Sequence, residues 1–89
     1  MGMGLPTEAF GQTNGDYRDI LVSYGILIIR DYSVGYTYLY SVGNGSPNLI
    51  YPDSSHTFTV EKVDSSHVRI TKVGSSSYNA LRARAVEVG

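Results

Sequence analysis

The chain has 89 residues, among them ten glycines, eight tyrosines and no cysteine, and its formal net charge is -1 at pH 7. This length favours a single domain, and the lack of cysteine excludes disulfide bonds and thiolate metal sites. The near-neutral charge argues against a nucleic-acid-binding protein, because such proteins usually carry a basic face.

Residues 1–16 are predicted to form an extended N-terminal arm ahead of a single β-domain over residues 17–89. The arm is rich in glycine, and Leu5 and Phe10 are two of its few large apolar residues. Such a segment cannot build a core by itself. It is either a disordered terminus or an arm that orders on a neighbouring subunit, with Leu5 and Phe10 as interface residues.

Residues 17–32 are predicted to form strand. Their apolar residues lack strict alternation, which predicts burial on both faces. Gly25 marks either a bulge in one long strand or a reversal between two strands, and the bulge is favoured because residues 23–25 lack a strong turn pair. The apolar part, residues 20–29, is about half of the ~20 residues that a membrane span needs. We therefore expect no membrane partner, and no signal peptide is recognisable at the N-terminus.

Residues 34–42 alternate with period two, so Tyr36, Tyr38 and Tyr40 are predicted to share one face of a strand. Tyrosine is common at protein interfaces, and we take these three residues as the best interface candidates. Two alternatives stay open: the rings stabilise the sheet by cross-strand packing, or they stack on a glycan.

The segment Asp-Ser-Ser-His occurs twice, at residues 53–56 and 64–67, each time before a strand-like run. The runs at 57–63 and 68–73 predict an antiparallel hairpin with one buried face. His56 and His67 flank this hairpin and could share a metal ion, but surface histidines near turns are favoured because no dense ligand spacing accompanies them. Catalysis is disfavoured because aspartate and serine in turns usually bond their own backbone. We predict no catalytic residue, no metal and no cofactor.

The last strand-like run covers residues 78–88, where the apolar positions change parity near Ala85. This predicts a bulge there or a strand that changes partners, with a helix over residues 79–86 as the competing alternative. Arg82 and Arg84 share a face and could touch phosphate together with nearby basic residues, although a solvated face is favoured. The nearby basic residues are Arg69 and Lys72, and the acids that could pair with the cluster are Glu61 and Glu87.

Six or seven strands in about seventy residues predict an all-β fold, a small antiparallel β-sandwich or barrel. The functional hypothesis is a structural protein of a virus particle, such as a capsid decoration, tail or head–tail joining subunit. It would act as a homo-oligomer or by contacts with other capsid or tail proteins, without binding nucleic acid. A glycan- or receptor-binding module is the first alternative, and a small enzyme or inhibitor is the second.

Overall fold

The computed structural model describes residues 2–3, 5–51 and 56–88, which contain eight β-strands and no helix. All strand pairs are antiparallel, which confirms the predicted all-β antiparallel fold. The strands are β1 (Gly2–Met3), β2 (Tyr17–Leu21), β3 (Gly25–Asp31), β4 (Tyr36–Val42), β5 (Asn48–Tyr51), β6 (Phe58–Asp64), β7 (His67–Lys72) and β8 (Leu81–Glu87).

The strands form two sheets in a sandwich-like arrangement. The large sheet has the order β1-β8-β3-β4-β5, and the small sheet has the order β2-β7-β6. One hydrophobic core lies between them, because both sheets contribute to the same cluster of buried side chains. Leu27 and Ile29 of the large sheet and Val68 and Ile70 of the small sheet are all completely buried.

The alternation of buried and exposed residues explains why these segments form strands with one buried face. In β7 the apolar residues Val68 and Ile70 are buried, whereas the intervening Arg69 is partly exposed. Each Å² of apolar surface removed from water stabilises the fold by about 25 cal/mol, so the apolar face of each strand turns toward the core. The predicted hairpin is confirmed as β6 and β7, with a register irregularity between Lys62 and Asp64.

The chain changes sheets immediately before Gly25, so the predicted bulge within one long strand is wrong. β2 belongs to the small sheet and β3 to the large sheet, and residues 22–24 cross between them. β3 pairs without irregularity with both β4 and β8. The outward residues Ile26 and Ile28 are only partly buried, so β3 is not covered on both faces as expected.

The C-terminal run is a regular strand, which contradicts both the helix alternative and the bulge near Ala85. β8 pairs with β3 residue for residue from Leu81 to Glu87. Ala83 and Ala85 face the core, and Val86 lies on the opposite face, where it is partly exposed. The change of parity in the sequence therefore reflects one apolar residue on the outer face.

The described parts of the predicted arm, residues 2–3 and 5–16, lie against their own domain. Residues 2–3 are β1, which pairs with the end of β8. Phe10 and Leu81 exchange two backbone hydrogen bonds of 2.9 and 2.8 Å. Farther toward the N-terminus, the Thr7 N–H donates to the Ala83 carbonyl at 2.8 Å. This segment therefore covers one edge of the core that the strands leave open.

Candidate interaction surfaces

The three tyrosines of β4 share one face, as predicted, and that face is turned toward the core. Tyr38 is 0 % exposed and Tyr40 is 7 % exposed, whereas Tyr36 remains 48 % exposed. The ring of Phe58 from the small sheet packs 5.0 Å from the ring of Tyr38, centroid to centroid. Period-two alternation determines which residues share a face of the strand. Which of the two faces is buried depends on where the second sheet packs. Of the three predicted interface tyrosines, only Tyr36 is exposed.

Burial has a chemical consequence for Tyr40. The low-polarity surroundings disfavour a phenolate, and the neighbouring Tyr38 adds to this effect, so the pKa of Tyr40 is raised to about 12. The phenolate form of Tyr40 is therefore less accessible than that of an ordinary tyrosine.

The two predicted arm anchors have opposite environments. Phe10 is completely buried in the core of its own domain, with the Arg18 guanidinium 5.0 Å from its ring centroid. Leu5 is 92 % exposed. Leu5 is thus free to contact another molecule, whereas Phe10 already has its contacts within the chain.

Five exposed apolar residues lie on or beside the turn and the loop at one end of the sandwich, and we call this set the tyrosine-rich end. The turn between β3 and β4 lies there beside the β7–β8 loop, since the Tyr32 N–H donates to the Ala80 carbonyl at 2.8 Å. The members are between 43 and 53 % exposed. They are Tyr32, Val34, Tyr36, Val73 and Tyr78.

The second Asp-Ser-Ser-His segment forms the β6–β7 turn and bonds to itself. The Asp64 carboxylate accepts a hydrogen bond from the Ser66 N–H at 2.8 Å and lies 3.0 Å from His67 Nδ1. These contacts, the Ser66 bond first, hold the pKa of Asp64 below its usual value. The Ser66 hydroxyl lies 3.2 Å from the same Nδ1. A catalytic triad uses both ring nitrogens of its histidine, so this arrangement lacks the geometry of a triad.

Residues 53–55 of the first Asp-Ser-Ser-His segment lie outside the described residues, and His56 is its one described residue. His56 is exposed, and its ring centroid lies 4.7 Å from that of Tyr38. The register of β6 and β7 places His56 and His67 at opposite ends of the hairpin, roughly 20 Å apart at the rise of a strand. The two histidines therefore cannot share a metal ion, and no group of three or more histidines and carboxylates in the described residues is placed to hold one.

The four basic residues of the possible phosphate site lie in different sheets, Arg69 and Lys72 in β7 and Arg82 and Arg84 in β8. Arg69 of the small sheet forms an ion pair with Asp19 at 2.8 Å. Lys72 is buried at the inner face of β7, with 3 % of its surface exposed. Arg82 and Arg84 lie together on the outer face of β8, where Arg30 of β3 joins them. The sequence offered no signal for Arg30, because its neighbourhood depends on the pairing of β3 with β8.

Comparison of the chain with protein-family models, with curated proteins and with solved structures finds no match. The part of the chain that the structure describes has no helix with the length and apolarity needed to cross a membrane. Function must therefore be inferred from the geometry of this chain.

Proposed function

We propose that this chain is a structural protein that acts through contacts with other protein subunits, as a small component of a virus particle. In this role it would self-associate or bind capsid or tail proteins, as a decoration, tail or head–tail joining subunit. The observation that carries the proposal is the tyrosine-rich end.

The chemistry of the tyrosine-rich end suits a protein partner. Tyrosine supplies a large rigid contact area and a hydroxyl at low entropic cost, and the centres of interfaces are rich in aromatic residues and poor in charge. The five side chains that define this end include three tyrosines, and the Arg30 guanidinium lies 5.4 Å from the ring centroid of one of them, Tyr32. Loops and turns at the end of rigid sheets display them, which is a common position for binding residues.

The size of the domain supports association. A chain of this length buries only roughly 60–65 % of its unfolded surface, so its core is small. Contact between subunits would bury further apolar side chains such as Tyr36 and Val73, which are about half exposed. The viral part of the proposal rests on composition, namely a small β-domain rich in glycine and tyrosine without a chemical motif.

The alternative functions receive no support from the geometry. A glycan-binding row would require exposed rings at Tyr36, Tyr38 and Tyr40, and two of these rings are buried. An enzyme would require a base aligned with a nucleophile, and the described turn at Asp64, Ser66 and His67 does not align them.

Self-association can be measured by size-exclusion chromatography with light scattering over a series of concentrations. We expect the mass to rise above that of the monomer, and Tyr36→Ser to weaken association about tenfold because it removes an aromatic contact. Leu21→Ser is the matched control, since Leu21 is 65 % exposed but lies at the opposite end, beside His67. A chain that stays monomeric at every concentration would contradict self-association.

The viral role needs a separate experiment. Mass spectrometry of purified particles from the source of the sequence should detect the chain at many copies per particle. If the chain is absent from particles but still associates in solution, the viral part of the proposal fails and the assembly part stands.

A further inference from the structure

Three arginines lie together on the outer face of the large sheet, beside Tyr32 of the tyrosine-rich end. Arg30 and Arg82 are directly opposite each other in the β3–β8 register, and Arg84 stands opposite Ile28 on the same face. Side chains opposite each other on one face lie about 5 Å apart at Cβ. The sheet therefore concentrates three positive charges in a small area.

These arginines line a depression of about 270 Å³. The Arg30 guanidinium is held in place, because it donates to Thr37 Oγ1 at 3.0 Å and lies 5.4 Å from the ring centroid of Tyr32. The other residues along the depression are Pro6, Ile28, Tyr32, Thr37 and Ala83, and the side chain of Ala83 is turned toward the core.

The charges of this cluster are uncompensated within the described residues. Arg18 and Arg69 each pair with an aspartate, at 3.0 and 2.8 Å, whereas none of the described carboxylates forms an ion pair with Arg30, Arg82 or Arg84. Like charges directly opposite each other destabilise a sheet. An anion bound between them would remove this repulsion.

We propose that this depression binds a phosphomonoester. Guanidinium groups bind phosphate oxygens through paired N–H donors. A phosphomonoester carries a charge near -2, which matches three arginines better than the single charge of a carboxylate or a phosphodiester. The apolar wall formed by Ile28, Pro6 and the Tyr32 ring suits the organic body of the ester.

The ester has two possible sources, a free small molecule or a phosphorylated side chain of a protein. Nucleic acid is disfavoured, because its phosphates are diesters and the chain has a net charge of -1 without a long basic track. The shared chemistry of the two sources is the phosphate dianion on an apolar body.

The test is an NMR titration of the ¹⁵N-labelled chain at about pH 8, where the phosphomonoester is a dianion. Phenyl phosphate, inorganic phosphate and dimethyl phosphate are compared at constant ionic strength. We expect saturable shifts of the side-chain Nε–H signals of Arg30, Arg82 and Arg84. Phenyl phosphate should bind more tightly than inorganic phosphate, and dimethyl phosphate should bind most weakly.

Arginine variants at the depression and on the other sheet distinguish binding at this site from a general effect of net charge on phosphate affinity. Arg82→Gln and Arg84→Gln should each weaken phenyl phosphate binding about tenfold, because each removes a charge-assisted contact. Arg69→Gln removes the same charge from the other sheet and should leave the affinity unchanged. The spectrum of each variant shows directly whether it is folded.

Three results would overturn the proposal: no saturable shift at the three arginines, equal binding of dimethyl phosphate, or an equal loss of affinity in Arg69→Gln. A peptide that carries phosphotyrosine identifies the source. Tighter binding of the peptide than of phenyl phosphate supports the site with a protein-borne ligand, and equal binding supports it with a small-molecule ligand. None of these outcomes depends on self-association.

Discussion

Gly25 shows how one residue permits the change from one sheet to the other. It begins β3 and pairs with both Val42 and Glu87. A Cβ atom at this position would lie 2.0 Å from the Val86 carbonyl oxygen and 2.9 Å from the Glu87 Cα. These neighbours are backbone atoms that cannot move without breaking the β3–β8 pairing, so no side chain fits.

We expect Gly25→Ala to lower the free energy of unfolding by about 3 kcal/mol or more, because overpacking against backbone has no inexpensive relaxation. Gly45→Ala is the control, since a Cβ there would meet nothing within 4 Å. Urea unfolding measures both variants. A loss below about 1 kcal/mol in Gly25→Ala would show that β8 can shift.

Asp31 is a second residue whose role is structural. Its carboxylate is completely buried, yet it accepts hydrogen bonds from the Ser33 N–H at 2.9 Å and from the Thr57 hydroxyl at 2.6 Å. The Thr57 bond ties the β3–β4 turn to the segment that leads into β6, and so links the two sheets. Buried polar groups are tolerated when they are bonded in this way.

At the scale of elements, the segment of residues 5–16 acts as part of the core. Phe10 is completely buried, so we expect Phe10→Ala to destabilise the domain by about 3 kcal/mol or more. The exchange of the Leu81 amide hydrogen should also accelerate, because that amide donates to the Phe10 carbonyl.

Leu5→Ala is the control for Phe10→Ala. It should alter the free energy of unfolding by less than about 0.5 kcal/mol, because Leu5 is 92 % exposed. Both variants can be measured by urea unfolding and hydrogen exchange. If Phe10→Ala were as mild as Leu5→Ala, the segment would contribute little to the core, and an arm that reaches a neighbour would be favoured again.

The elements themselves were largely predictable where local pattern decides them. Alternation and a serine-containing turn located the β6–β7 hairpin to within one or two residues, and alternation placed Tyr36, Tyr38 and Tyr40 on one face. A reversal at Gly25 was one of the two predictions, but the sequence favoured the bulge, because apolar residues flank residues 23–25 on both sides and Val22 is itself buried. Local pattern does not show that the two flanking segments pair in different sheets.

At the scale of the whole molecule, the candidate sites depend on contacts between distant parts of the sequence. Arg30 meets Arg82 only through the β3–β8 register, and Tyr32 lies beside the β7–β8 loop only because β8 pairs with β3. Composition and spacing carry no information about that pairing. Of the three tyrosines at the tyrosine-rich end, only Tyr36 was a predicted interface residue, and no signal in the sequence pointed to Tyr32 and Tyr78.

The response of the domain to acid follows from carboxylates that are bonded in the folded state. The Gly11 N–H donates to Asp16 at 2.8 Å, and this bond, followed by the Arg18 contact, keeps the pKa of Asp16 below its usual value. The hydrogen bond and charge of Arg69 likewise lower the pKa of Asp19. Because both carboxylates ionise more readily when folded, they stabilise the domain above the unfolded pKa of about 4, and this stabilisation is lost as pH falls through their folded pKa values.

We therefore expect the free energy of unfolding, measured in urea, to decrease as pH is lowered from about 5 to about 2. Asp16→Asn should reduce stability at pH 7 and flatten this decrease, since the amide cannot be protonated in this range and is a weaker acceptor for the Gly11 N–H. The effect should reach the whole domain, because Asp16 holds the chain between buried Phe10 and the start of β2. A variant with the same acid slope as the unmodified chain would show that the Gly11–Asp16 bond adds nothing to the cooperative unit, and that the acid sensitivity originates elsewhere.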